Sequence, residues 1–102
     1  MIVIQGFLRT EPENVAGLKQ AALPLITASR QEEGNIAYAF AEDIADPGLV
    51  HFIERWADDA ALAAHNSTPH LAAFLGALPS LGIIAFRTAR YDAAGETLLA
   101  GA

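Results

Sequence analysis

The chain has 102 residues, of which 53% are hydrophobic and 18% charged, and it contains no cysteine. Twelve acidic residues against six Lys and Arg leave a formal net charge of −6 and a pI near 4.8. These figures exclude a disordered chain, a phosphate-tracking nucleic-acid binder, a ligand of anionic membranes and every site that needs a thiolate.

A chain this short makes one domain, residues 1–102, with its core over 2–91 and a tail over 92–102. Its apolar fraction exceeds the ~45–50% usual for soluble domains, so there is more apolar surface than one small core consumes. That excess points to a partner. The opening segment MIVIQGFLRT lacks the basic start of a signal peptide. No run approaches the ~18 apolar residues of a membrane span, so the expected location is cytoplasmic.

Ile2–Arg9 is rich in β-branched and aromatic residues and predicts a strand. Thr10-Glu-Pro-Glu reads as a capping box opening a helix that runs to about Arg30, with Val15, Leu18, Ala22, Leu25 and Ile26 on one stripe. Pro24 falls inside it and should kink it. Gly34 suits a left-handed helix cap. Asn35–Glu42 and Leu49–Trp56 read as a hairpin about the turn Asp43–Gly48. Asp58 and Asp59 cap a short helix, Ala60–His65; Thr68 and Pro69 begin another, Pro69–Leu78. After Pro79 and Gly82, Ile83–Tyr91 predicts a last strand.

The order β-α-β-β-α-β is the ferredoxin-like, α+β pattern: a four-stranded antiparallel sheet with both helical segments on one face. Ile2, Ile4 and Leu8 oppose Val3 and Phe7 on the first strand; Val50, Phe52 and Trp56 oppose Leu49 and Ile53 on the third; Ile83 and Tyr91 oppose Ile84 and Phe86 on the last. A sheet with one wet face alternates more cleanly, so the face away from the helices is expected to meet a second copy in a symmetric homodimer.

No G-x-G-x-x-G, P-loop or G-x-S-x-G motif is present, which argues against dinucleotide, nucleotide and serine-hydrolase sites. The three histidines are His51, His65 and His70. His65 and His70 are five positions apart across a helix break, which fits neither helical metal-ligand spacing, so a zinc site is disfavoured. His65 reads either as a helix-terminal residue on the C-terminal dipole or as a proton acceptor; His70, opening the next helix, reads as structural. Glu54 and Trp56 share one strand face, where a buried carboxylate needs a partner, with Arg87 or Arg90 as candidates. Trp56, Tyr38 and Phe40 offer a flat apolar wall for an aromatic ligand.

Arg30-Gln-Glu-Glu-Gly-Asn35 with Tyr38, then Asp46-Pro47, Glu54-x-Trp56, Ala61-Leu62-x-x-His65 and Thr68-Pro69-His70 with Phe74 together resemble the antibiotic biosynthesis monooxygenase family, and within it the small quinol monooxygenases. The resemblance implies a dimeric α+β barrel. It also implies oxidation of a quinol or polyphenolic aromatic, with dioxygen as co-substrate and no metal or other cofactor. On the residues that match, it implies His65 as base, Trp56 as substrate contact and Glu54 as a further catalytic-site residue, either ion-paired structure or one that orients a polar neighbour; Tyr38, Phe40, Phe52, His70 and Phe74 are the candidates for binding substrate. Haem degradation is disfavoured, because Leu75 lies about where the haem-ligating histidine of such relatives is expected. Two alternatives remain: an isomerase or degrading enzyme for a small keto metabolite of the autoinducer type, and a non-catalytic ligand-binding dimer.

Overall fold

A computed structural model describes residues 1–101. The strands are β1 (Ile2–Thr10), β2 (Asn35–Glu42), β3 (Leu49–Trp56) and β4 (Ile83–Asp92); the helices are α1 (Val15–Ser29), α2 (Asp59–Asn66) and α3 (Pro69–Ala77). The strands form one antiparallel sheet in the order β2-β3-β1-β4. This is the α+β, ferredoxin-like arrangement expected from the alternation of elements. Among the described residues no helix is long and apolar enough to cross a membrane.

Register decides which side chains meet the helices. Ile2, Ile4, Gly6 and Leu8 stand opposite Trp56, Glu54, Phe52 and Val50, and Tyr38 and Phe40 stand opposite Glu54 and Phe52. Directly paired residues share a face, so these all point toward the helical layer. The core gathers there: Ile2, Leu8, Tyr38, Val50 and Trp56 from the sheet meet Leu18, Ala22 and Leu25 of α1 and Phe74 of α3. Leu18, Ala22, Leu25 and Ser29 recur at helical spacing, which gives α1 a continuous buried stripe. The helix continues through Pro24 to Ser29.

Two local expectations change. Thr10 does not cap α1. It ends β1, buried, with its amide donating to the Gly48 carbonyl and its hydroxyl to the Glu11 carbonyl, and the chain enters α1 through a 3-10 turn, Pro12–Asn14. In β4 a register shift at Arg9/Thr10 places Ile83 opposite Thr10 but Ala85 opposite Arg9. The extra residue reverses the parity: Phe86 stands opposite Leu8 on the helix side, and Tyr91 stands opposite Val3 on the far side.

The helix starts in the second half follow their cap chemistry. The Asp58 side chain accepts from the Ala61 amide at 2.9 Å, and the Thr68 hydroxyl accepts from the Leu71 amide at 3.4 Å with Pro69 in the first turn. The break between these caps folds α3 back so that Phe74 reaches the sheet. Gly34 turns the chain from α1 into β2 with φ +82°, and a Cβ there would lie 2.5 Å from the Ala61 Cβ. Gly34→Ala should therefore cost about 2 kcal/mol or more, from left-handed strain plus the clash with α2, measured by urea unfolding.

Candidate active site

Among the described residues, two concavities open on the helix side of the sheet, and a third of about 180 Å³ lies around Gln5, His51 and Ile53. A groove of about 330 Å³ lies between α1 and the β2–β3 edge, lined mostly by aliphatic side chains with Phe40, Lys19 and Glu42. A smaller cavity of about 190 Å³ lies over β3, between the sheet and α3. The cavity over β3 is the strongest candidate, because it alone combines an apolar aromatic lining with a largely desolvated carboxylate. Tyr38, Phe40, Phe52, Phe74 and Phe86 are among its walls, and Glu54 is the one carboxylate in its lining.

The aromatic walls follow from the pairing of β2 with β3. Phe40 stacks on Phe52 at 5.6 Å with 28° between planes, and Phe74 closes on Phe40 edge-on at 5.7 Å. Gly6 makes room for this. A Cβ at Gly6 would meet the Phe52 ring at 2.7 Å, so only a residue with no side chain lets that ring lie over β1.

Beneath the cavity lies a chain of polar groups. Trp56 is fully buried, and its Nε1–H donates to Glu54 Oε1 at 3.0 Å. The Trp56 ring packs against the His65 ring at 4.6 Å, and the Tyr38 ring lies 5.3 Å from His65 on another side. His65 is only 2% exposed and has a carboxylate near each ring nitrogen: Glu32 Oε2 is 2.7 Å from Nδ1, and Glu54 Oε1 is 3.8 Å from Nε2. His70 Nε2 approaches the same Glu32 oxygen at 2.8 Å. An ionised carboxylate offers only lone pairs, so both ring nitrogens that face Glu32 are assigned as donors.

The two carboxylates are pushed in opposite directions. Burial raises the Glu54 carboxyl above its ordinary value, offset only in part by the Trp56 hydrogen bond and the neighbouring His65. Burial also works to raise Glu32, but the hydrogen bonds from His65 and His70 outweigh it and hold that carboxyl below its ordinary value. Burial and the Glu54 charge raise the Tyr38 phenol, which therefore stays neutral.

The residues singled out from sequence thus separate into two groups. Tyr38, Phe40, Phe52, Glu54 and Phe74 line the cavity. Trp56, His65 and His70 do not: Trp56 and His65 lie behind Glu54, and His70 reaches Glu32 rather than the cavity. Trp56 is a support for Glu54, because full burial leaves none of its ring to meet a ligand. Glu54 pairs with neither Arg87 nor Arg90; Arg90 binds Asp59 and Asp92 at the surface. The helix break that argued against a joint role for His65 and His70 is what brings them together, with ring centroids 6.1 Å apart. Glu32 lies in the segment Arg30–Asn35 that carries the family resemblance, with no role assigned to it there. Its signal is position: it lies two residues before Gly34, whose turn presents it to α2 and α3.

With this geometry in view, comparison with known proteins places the chain. The model of the antibiotic biosynthesis monooxygenase family matches residues 1–77. The chain belongs to that family. It is 35% identical over 75 residues to the Bacillus subtilis (strain 168) protein named "Putative monooxygenase YcnE", covering 74% of this chain and 79% of that one. A solved structure from Deinococcus radiodurans, described as a "putative antibiotic biosynthesis monooxygenase", superposes with a TM-score of 0.91 at 28% identity, over 99% of this chain and 100% of that one. The Mycobacterium tuberculosis protein Rv0793 shares the fold at 20% identity, with a TM-score of 0.84 over 95% of this chain and 98% of that one.

Glu32 yields a test of the buried network. Its pKa is lowered on folding, so its contribution is present above the ordinary carboxylate value and lost as pH falls through the lowered one. Glu32→Gln should cost about 1–3 kcal/mol near pH 7 in urea unfolding, and the gap to wild type should narrow as pH falls below the ordinary carboxylate range. A gap that persists unchanged in acid would contradict this.

Proposed function

We propose that the chain is a monooxygenase that oxidises a single-ring quinol or related phenol with dioxygen in the cavity above Glu54, using no bound cofactor. The observation that carries this reading is the juxtaposition of stacked Phe40 and Phe52 with one largely desolvated carboxylate, Glu54, in a cavity of about 190 Å³. The volume favours small substrates: a cavity of roughly 150 Å³ lined by apolar groups takes up a benzene ring, whereas polycyclic ligands need several times that space.

The chemistry asked of the protein is orientation, exclusion of water and removal of one proton. A flat ring lies against Phe40 and Phe52, with its hydroxyl toward Glu54. Oε1 of that carboxylate accepts from Trp56, and Oε2 makes no hydrogen bond among the described residues, so Oε2 is the atom that takes the hydroxyl proton. His65 lies behind Glu54 with Nε2 toward it, so the role expected of it as base is recast as support for the proton on Glu54. The phenolate is reducing enough to give one electron to dioxygen. Recombination of the two radicals places oxygen on ring carbon, and loss of water leaves a quinone. One atom of dioxygen enters the product; the other departs in water with the two hydrogens the substrate loses.

A homodimer belongs to the same proposal. The sheet face away from the helices carries Val3, Phe7, Leu49 and Ile53, each only half-buried in the isolated chain, beside Ala37 and Ala39. A second copy packed sheet to sheet would cover them.

Oxygen-electrode assays with a panel of substituted hydroquinones test the activity. The expected result is uptake that requires protein and substrate together, with kcat/KM lowered about 10²–10⁴-fold in Glu54→Gln. Absence of uptake across the panel, or full activity in Glu54→Gln, would overturn the reading. Sedimentation should show a dimer for the wild type and a monomer for Ile53→Asp; a monomeric wild type would contradict the proposed assembly.

A further inference from the structure

The structure assigns a second site, apart from the cavity: Glu32, His65 and His70 form a binding site for one divalent transition-metal ion of the zinc class. Their donor atoms come from three segments: the turn after α1, the last turn of α2 and the first turn of α3. Glu32 Oε2, His65 Nδ1 and His70 Nε2 lie within 4.8 Å of one another. The two imidazoles converge on one oxygen through different nitrogens, Nδ1 of His65 and Nε2 of His70, which no repeat along a single helix would produce.

The surroundings are those of a built ligand set. A metal-binding histidine characteristically turns its other nitrogen to a carboxylate, which fixes the ring and the position of its proton. His65 has a carboxylate on that side, though not yet hydrogen-bonded: its Nε2 faces Glu54 Oε1 at 3.8 Å, and Glu54 is itself held by Trp56. The His65 ring is fully buried and packs against both Trp56 and Tyr38, which touch each other edge-on, so that donor is held in place. The rim is open, because the His70 side chain is 21% exposed and begins a helix at the surface. An ion can enter from that side and keep a water molecule as its fourth ligand.

The donor set selects the class of ion. Two imidazole nitrogens and one carboxylate oxygen suit zinc and its first-row neighbours, whereas magnesium and calcium take oxygen ligands. The separations of 2.7 and 2.8 Å are those of hydrogen bonds. Metal–ligand bonds of about 2.0–2.2 Å in tetrahedral geometry set donors roughly 3.3–3.6 Å apart, so the ion replaces the two hydrogens and His70 withdraws slightly. With an ion on Nδ1, the remaining proton of His65 sits on Nε2 and faces Glu54. Occupancy is thereby communicated to the carboxylate that lines the cavity. The site does not depend on the oxygenase reading.

The test is binding of zinc(II) and cobalt(II) to EDTA-treated protein, followed by calorimetry for zinc and by absorption for cobalt. The wild type should take up about one equivalent per chain, and cobalt should show the visible bands of a four-coordinate ion. His70→Ala should weaken uptake by more than about tenfold and abolish those bands, while His51→Ala, at the exposed pair with Asp43, leaves both unchanged. No saturable uptake by the wild type, or equal uptake in wild type and His70→Ala, would overturn the assignment. Should His70→Ala not fold, as judged by circular dichroism, ring-nitrogen NMR of the wild type decides. Zinc should then shift His65 Nδ1 and His70 Nε2, and unmoved resonances would refute the site.

Discussion

A histidine almost wholly withdrawn from water, with a carboxylate near each ring nitrogen, is the constraint on which this molecule's chemistry rests. His65 cannot be satisfied locally. Its Nδ1 needs Glu32 from the turn after α1, its Nε2 side faces Glu54 from the middle of the sheet, and its ring packs against both Trp56 and Tyr38. Burying these polar groups is tolerable only while every partner is in place, so the network fixes how α2 and α3 dock on β3. It also explains why Glu54 can be a desolvated carboxylate at a cavity wall: Trp56 donates to one oxygen and leaves the other for a ligand.

The apolar excess of the composition divides between two surfaces. Part of it makes the aromatic cavity, where Phe40, Phe52 and Phe74 stack around the space that Gly6 leaves over β1. Part lies on the far side of the sheet, where Val3, Phe7 and Ile53 stay only half-buried. Both follow from a thin architecture, one sheet and one helical layer, in which only one face of the sheet has a partner within the fold.

Much of this was legible in the amino-acid sequence, for identifiable reasons. Element order came from periodicity and punctuation. The caps at Asp58 and Thr68 are local hydrogen bonds whose chemistry depends on nearby residues alone. Alternation along β2 and β3 was enough to place Tyr38, Phe40, Phe52 and Glu54 on one face. What failed was non-local. Thr10 has the composition of a cap, but Gly48, thirty-eight residues on, holds it in the sheet. The parity of β4 reverses at a bulge that only pairing with β1 reveals. Trp56 reads as a wall until the depth of its burial is known, and Glu32 stays anonymous at a helix end until α2 and α3 arrive beside it. Spacing along the chain argued against joining His65 to His70 because it measures distance on a helix that, here, is broken.

The central claim is that Glu54, supported from behind by Trp56 and His65, receives the hydroxyl of a small aromatic in the cavity over β3. A crystal structure with a non-reactive quinol analogue bound tests this most directly. The account predicts a ring lying against Phe40 and Phe52, with its oxygen at hydrogen-bond distance from Glu54 Oε2. An analogue found instead in the groove between α1 and the β2–β3 edge, or seated over β3 with no polar contact to Glu54, would contradict it.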